Sequence, residues 1–155
     1  MKFKNPLLVV SDMERSVAFY RTVLGLRVTA DFGANKTLTG GICLQTAQSW
    51  PTLIGKAGEA VAYGGRDAEL YFEEEDFDAF LAKLDTIEGI KYVHPLVEHR
   101  WGQRAIRLYD PDRHIIEVAE SLRCPMLRFA AQGMTQQQIA LRMDVPITLV
   151  EKMMK

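Results

Sequence analysis

The sequence predicts an α+β fold: two βαβββ modules that form a curved mixed sheet with a central cavity, followed by a C-terminal helical extension. Three observations lead to this prediction. The predicted elements follow the same order twice, namely a strand, a helix and three strands. Aligning Ser11-Asp12 with Glu75-Asp76 superimposes the two helices without a gap, which indicates an internal duplication. Each helix can cover only one face of its sheet, so the other face is left for a second module or a ligand.

The first module is expected over residues 1–53. Leu7 to Val10 forms a short apolar strand. Ser11-Asp12 is typical of a helix N-terminus, and Gly25 is typical of its end. Alternating apolar residues then predict strands over 26–32, 36–39 and 42–46, of which the second is weak. Residues 47–66 are rich in Gly, Ala, Pro and Ser, which predicts a linker or a long loop.

The second module is expected over residues 67–121. A strand over 69–73 precedes a helix that Asp76 caps, and further strands follow over 91–97, 104–109 and 114–120. Asp110-Pro111-Asp112 predicts a tight turn between the last two strands. Pro111 presets φ for the second turn position, and the Asp side chains can accept hydrogen bonds from nearby backbone N–H groups.

The overall composition limits the possible functions. The chain has 155 residues and a formal net charge of −1, so it has no global attraction to nucleic acid or to an anionic membrane. It contains no apolar run of roughly 18 residues, and its first residues do not resemble a signal peptide. Cys43 and Cys124 form no CxxC pair. We therefore expect a reduced, cytoplasmic protein that is not associated with a membrane.

Glu117 stands out in the last predicted strand because its neighbours are Ile115, Ile116, Val118 and Ala119. A carboxylate in such surroundings is costly unless it is paired, hydrated or bound to a metal. Two interpretations follow. Glu117 contacts a ligand or metal in a pocket, or it pairs with Arg104 or Arg107 on the neighbouring strand.

The residues Val9-Val-Ser-Asp-Met-Glu-Arg-Ser-Val-Ala-Phe-Tyr20-Arg-Thr-Val-Leu-Gly-Leu26, with Trp101-Gly-Gln-Arg104 and Asp110-Pro-Asp-Arg-His-Ile-Ile-Glu117, resemble the vicinal oxygen chelate superfamily. This superfamily includes glyoxalase I, extradiol dioxygenases, fosfomycin-resistance enzymes and bleomycin-resistance proteins. The resemblance covers residues 1–121, which we expect to form a glyoxalase/bleomycin-resistance-like domain.

The resemblance implies a metal site, because metal-dependent members take ligands from the first and last strands of each module. The corresponding positions are Asn5, Gln45, Glu69 and Glu117. This set contains no histidine, and Asn5 departs from the family pattern. Two carboxylates and two amides suit Mg²⁺, Mn²⁺ or Ca²⁺ better than Zn²⁺. The resemblance therefore implies either no metal or a weakly held divalent ion such as Mn²⁺, Mg²⁺ or Ni²⁺.

Several of these residues also have simpler interpretations. Gln45 can be a hydrogen-bonding amide of the core, and Glu69 can begin an edge strand in solvent. In the family's layout Trp101 opens a loop at the cavity mouth, where it either covers a ligand or anchors the loop. Arg107 is a candidate ligand-binding residue. The three histidines, His94, His99 and His114, are scattered, and their spacing does not support a metal or acid/base site.

Residues 122–155 lie outside the resemblance and predict three short helices that resemble a helix-turn-helix, with Ile139, Ala140, Val145 and Val150 as its packed positions. Five basic and two acidic residues give this tail a net charge of +3, which is slight for a DNA-binding element. We expect a helical hairpin that packs on the domain or on a partner subunit, and we do not expect nucleic-acid binding.

Three functions are consistent with these features. The first is binding of a small molecule by a cavity with a degenerate metal site, as in bleomycin-resistance proteins. The second is a metal-dependent lyase or isomerase of the glyoxalase I (lactoylglutathione lyase) type, with Glu69 and Glu117 as catalytic residues. The third is a ligand-responsive regulator that binds DNA through the tail. Because open sheet edges need cover, and because the superfamily commonly pairs sheets between subunits, we also expect a homodimer.

Overall fold

The structure is a computed structural model that describes residues 1–155. The chain divides into two compact units. The first comprises Met1–Glu69 with Tyr109–Ile115, and the second comprises Leu70–Leu108 with Ile116–Lys155. No helix has the length and hydrophobicity that a membrane span requires.

The first sheet has four strands, in the order β1-β4-β3-β2. The strands are β1 (Leu7–Val10), β2 (Val28–Asp31), β3 (Asn35–Leu38) and β4 (Cys43–Thr46). Strand β1 runs parallel to β4, with Val9 opposite Gln45, whereas β3 is antiparallel to β4 and to β2. Because β1 and β4 are parallel neighbours, the chain must cross between them through the helix and the other two strands.

Helix α1 (Met13–Leu24) begins and ends where the sequence predicts. The Asp12 side chain accepts a hydrogen bond from the Arg15 N–H at 2.9 Å, and Gly25 ends the helix with φ of 70°. Tyr20 and Val23 are buried on this helix, as is Leu44 on β4. Since side chains alternate along a strand, the neighbours of Leu44 point to the opposite face of the sheet.

The second sheet repeats this topology, with the order β5-β8-β7-β6. Its strands are β5 (Glu69–Glu74), β6 (Lys91–Glu98), β7 (Arg104–Tyr109) and β8 (Ile115–Glu120), and helix α3 (Phe77–Asp85) follows β5. Equal strand order in both halves confirms the predicted pair of βαβββ modules and the α+β fold.

The segment over 47–66 differs in part from the prediction of a linker or loop, because it contains the short helix α2 (Trp50–Leu53). Pro51 lies in the first turn of this helix, where its missing N–H is tolerated and its fixed φ favours helical backbone. The Gly- and Ala-rich remainder has no regular structure.

The tail forms three helices: α4 (Arg123–Ala131), α5 (Gln136–Met143) and α6 (Ile147–Met153). Thr135 and Gln138 form a reciprocal capping box at the start of α5. The four predicted packed positions all belong to one hydrophobic cluster, which we call the tail core. Its buried members are Met126, Phe129, Ile139, Ala140, Met143 and Val150, and Val145 packs against them.

Candidate ligand-binding site

Glu117 is buried in the second unit and paired with an arginine. Its side chain is 6% exposed, and its Oε2 accepts a hydrogen bond from Nη2 of Arg107, whose side chain is 25% exposed. A buried carboxylate needs such a partner, because its desolvation otherwise costs several kcal/mol, to order of magnitude. The predicted pairing with the neighbouring strand is confirmed for Arg107. Arg104 instead contacts Glu120 and Asp78.

His94, on the next strand, extends this pair. Its Nε2 lies 3.3 Å from Nη1 of Arg107, and its Nδ1 lies 2.7 Å from the carbonyl oxygen of Pro95. A carbonyl only accepts hydrogen bonds, so Nδ1 carries the proton and Nε2 accepts from the guanidinium group. Arg107 is therefore held between a neutral imidazole and a carboxylate. We call the sheet face that carries His94, Arg107 and Glu117 the Glu117 face.

An aromatic pair lies close to these groups. The rings of His99 and Trp101 stack with centroids 4.4 Å apart and planes 14° from parallel. Burial lowers the pKa of His99, and the nearby positive charge of Arg107 lowers that pKa further. His99 therefore stays uncharged to a lower pH than an ordinary imidazole, which suits a ring that stacks on Trp101.

Hydrogen bonds connect this aromatic pair to strand β5. Nε1 of Trp101 donates to Oε1 of Gln103 at 2.9 Å, and Nε2 of Gln103 donates to the hydroxyl of Tyr71 at 3.1 Å. The Tyr71 hydroxyl in turn donates to Glu73 at 2.9 Å. Glu69 begins the same strand and is exposed. Its predicted catalytic role stays a prediction.

The predicted amide ligands lie in the first unit. Gln45 is buried, its Oε1 accepts from Nδ2 of Asn35 at 2.9 Å, and its Nε2 donates to Oγ of Ser49 at 2.6 Å. Both ends of the amide are thus used within the unit, in agreement with the interpretation of Gln45 as a hydrogen-bonding core residue. Asn5 is half-buried and precedes β1. That Asn5 and Gln45 meet Glu69 and Glu117 at one point stays a prediction.

These side chains do not fit a tightly held divalent ion. The structure contains no group of three or more His, Cys, Asp or Glu side chains arranged to hold a metal. Two of the four expected ligands are neutral amides, and the charge of Glu117 is compensated by Arg107. A guanidinium group bound to a carboxylate disfavours a second cation at the same oxygens.

The spacing of the histidines along the sequence did not predict the neighbourhood of His94 and His99. The backbone N–H of His99 donates to the carbonyl of Gln103 at 2.8 Å, so the loop between β6 and β7 is tight. Counting outward from that closed loop places Arg107 opposite Pro95, one residue away from His94. Hairpin register therefore brings the two residues to neighbouring positions, whereas the contact itself depends on the direction that each side chain takes in the folded structure.

The fold and its repeated modules place the chain in the vicinal oxygen chelate superfamily. Within that superfamily the chain belongs to the Glyoxalase-like domain family, whose match covers residues 3–123. Helices α5 and α6 lie outside the matched range. No curated protein matches the chain at a significant level.

Solved structures agree with this assignment. A protein of unknown function from Agrobacterium tumefaciens is 41% identical, with a TM-score of 0.71 over 79% of this chain and 95% of its own. A glyoxalase/bleomycin resistance protein/dioxygenase from Nocardioides is 24% identical, with a TM-score of 0.64 over 79% and 84%. A lactoylglutathione lyase from Agrobacterium tumefaciens is 20% identical, with a TM-score of 0.60 over 77% and 93%. The last two likenesses concern the fold alone.

Proposed function

We propose that this protein binds a small amphipathic molecule on the Glu117 face without a resident divalent metal. The observation that carries the proposal is the pairing of Glu117 with Arg107. The carboxylate at the family's metal-ligand position is already compensated, so binding a cation there requires the ion pair to be broken. The remaining predicted ligands include two neutral amides, and their weak binding to a cation does not offset the free energy lost when the ion pair is broken.

The side chains around the ion pair support an amphipathic ligand. Tyr92 and Leu96 lie two residues before and two residues after His94 on β6, so they share its face of the strand, and they are 41% and 42% exposed. On β5, Tyr71 is half exposed. Small-molecule sites combine apolar and aromatic walls with a few polar groups that fix orientation, and this face offers both.

Metal analysis tests the first part of the proposal. We expect protein purified without chelator or affinity tag to contain well under one ion per chain of Mn²⁺, Ni²⁺, Mg²⁺ or Zn²⁺. We also expect the melting temperature to be insensitive to each added ion, because only a ligand that binds the native state raises it. Arg107→Met releases Glu117 and should make the melting temperature more sensitive to Mn²⁺. Arg66→Met removes the same charge from an exposed loop position and should leave that sensitivity unchanged.

One tightly bound ion per wild-type chain, with a melting temperature that rises on adding it, would overturn the metal-free proposal. That result would favour the metal-dependent lyase instead. Catalytic roles for Glu117 and Glu69 would then be tested by conversion of a hemithioacetal in the presence of Mn²⁺ or Ni²⁺.

Three planar probes of equal shape test binding: benzamide, benzoate and benzamidinium, which are neutral, anionic and cationic. The readout is the shift of the Trp101 indole N–H and of the Arg107 backbone amide in NMR spectra. Because the charges on the Glu117 face compensate each other, we expect benzamide to bind at least as tightly as either ion. Probes that perturb only residues outside this face would contradict the proposal. The predicted homodimer and cytoplasmic location remain separate predictions.

A further inference from the structure

The tail contacts the loop of residues 99–103, which connects β6 to β7. Nη2 of Arg128 on α4 donates to the carbonyl oxygen of Gly102 at 2.6 Å. The same guanidinium group binds both carboxylate oxygens of Glu120, at 2.9 and 2.8 Å. Glu120 is fully buried and also accepts from the backbone and side chain of Arg104, at 2.9 and 3.1 Å. Arg128 is therefore anchored in the sheet while it holds the loop.

Phe129, the next residue on α4, packs directly on the backbone of the loop. A Cβ atom on Gly102 would lie 2.4 Å from Cζ of Phe129, and Gly102 has φ of 91°. Only glycine both adopts this positive φ easily and lacks the Cβ atom that would displace the Phe129 ring. Trp101 packs against the tail core, and Arg142 on α5 donates to the carbonyl of Arg100 while its guanidinium group lies over Phe129. Three consecutive loop residues are thus held by α4 and α5.

The same loop supplies the aromatic part of the Glu117 face. His99 stacks on Trp101, and Gln103 connects Trp101 to Tyr71. Gln103 lies four residues before Arg107, a spacing at which extended side chains share one face of the sheet. A change in the position of the loop would therefore change the surface that a ligand meets.

We propose that the tail is a positioning element for the ligand site: α4 and α5 hold the 99–103 loop so that His99 stays stacked on Trp101 and Gln103 stays bonded to Tyr71. This inference rests on the proposed function of the Glu117 face. Arg128 and Phe129 are positioning residues, because they act on the ligand through the loop. Three of the tail's basic residues also have structural partners. Arg123, Arg128 and Arg142 all donate hydrogen bonds to groups within the second unit.

Two full-length variants on the same helix form a matched test. Arg128→Met removes the contact with Gly102, whereas Arg123→Met removes the same charge but affects only a contact with the Met153 carbonyl inside the tail. Both are made in a Trp50→Phe background, so that all tryptophan emission comes from Trp101. Phe129→Leu is a milder second variant that keeps Arg128 and its ion pair.

Three readouts report on the loop. For Arg128→Met and Phe129→Leu, we expect acrylamide quenching of Trp101 emission to at least double. The pKa of His99, followed by NMR, should rise toward its ordinary value of 6.5 as its burial decreases. Benzamide should bind several-fold more weakly. Arg123→Met should match the Trp50→Phe parent in all three.

The inference is overturned if the Arg128 and Phe129 variants lose hydrogen-exchange protection in α4 while the Trp101 and His99 signals stay as in the parent. That outcome assigns the tail a structural role only. The first two readouts need no ligand. If the parent fails to bind benzamide but the loop signals change as expected, the proposed function fails and the positioning role stands. If the parent binds benzamide and both variants bind it equally, the positioning role fails and the proposed function stands.

Discussion

The two units compensate their buried carboxylates mainly with different partners, although the first unit also contains one arginine contact, from Arg15 to Asp112 at 3.0 Å. In the first unit, Asp110 accepts from the hydroxyl of Tyr20 at 3.0 Å and from the backbone N–H groups of Asp112 and His114 at 2.9 and 2.8 Å. In the second unit, Glu117 and Glu120 are compensated mainly by guanidinium groups, from Arg107 and from the pair of Arg104 and Arg128.

This difference separates a structural cluster from a candidate site. The backbone donors to Asp110 are local and fix the conformation of a turn, whereas the Tyr20 hydroxyl comes from a distant helix and fixes the packing of α1. Burial raises the pKa of Tyr20, and the charge of Asp110 raises that pKa further, so this phenol stays a hydrogen-bond donor over the whole physiological range. The guanidinium groups of the second unit are charged and partly exposed, with 25% of the Arg107 side chain, 27% of Arg104 and 37% of Arg128 open to solvent.

Removing the Asp110 carboxylate should have the largest effect on stability. Asp110→Ala deprives Tyr20, His114 and the Asp112 N–H of their acceptor in a buried environment. We expect the free energy of unfolding to fall by about 3 kcal/mol or more, because several buried donors are left unsatisfied. Urea unfolding followed by circular dichroism measures the change. Asp67→Ala, at an exposed position, is the control and should stay within about 0.5 kcal/mol of wild type.

Glu120 should make the second unit sensitive to acid. Burial alone would raise the pKa of Glu120, but hydrogen bonds from Arg128 and Arg104 outweigh it and hold the pKa below its ordinary value of 4.5. The ionised carboxylate therefore adds stability above pH 4.5, and this contribution is lost as the pH falls through the folded-state pKa.

Glu120→Gln should accordingly lower the free energy of unfolding by about 2 kcal/mol at pH 7, since it replaces charge-assisted hydrogen bonds by neutral ones. Urea titrations at a series of pH values should show the gap between variant and wild type narrowing below pH 4.5. A gap that is constant over the whole range would show that the ionisation of Glu120 does not contribute.

The smallest expected change in stability comes from removing a single hydroxyl group, and its size should differ between the two units. Tyr20→Phe removes one buried donor to Asp110 and should cost about 1–2 kcal/mol. Tyr71→Phe removes a hydroxyl from a half-exposed ring in the second unit and should cost less than about 0.5 kcal/mol. Equal losses in thermal or urea unfolding would contradict the distinction between a buried structural cluster and an exposed face.

Much of the fold could be predicted because its signals are local. Asp12, Asp76 and Thr135 cap helices as predicted, and each makes its hydrogen bond within three residues. Predicted strands agree with the observed ones to within about two residues. The short helix α2 was missed because a single helical turn has too little periodicity to stand out from a polar, proline-containing segment.

The candidate site was predicted only in part. Glu117 was identified from its apolar neighbours, and its partner was narrowed to two arginines on one strand. The choice of Arg107 over Arg104 depends on the direction in which each side chain points. Two residues that are three positions apart on a strand point to opposite faces of the sheet. The amide environment of Gln45 depends on Asn35 and Ser49, which hairpin pairing and a turn bring to it.

The sequence alone determines the order of the elements, the ends of the helices, the duplication of the modules and the unusual position of Glu117 among apolar residues. These features can be predicted because capping, turn chemistry and periodicity act over a few residues. The seating of the tail on the 99–103 loop cannot be predicted in this way. Arg128 and Gly102 are 26 residues apart, and their contact depends on a fully buried carboxylate at Glu120 and on a glycine that leaves room for Phe129. Such contacts are decided by packing between distant segments, where shape and charge must match at once and no local pattern records the match.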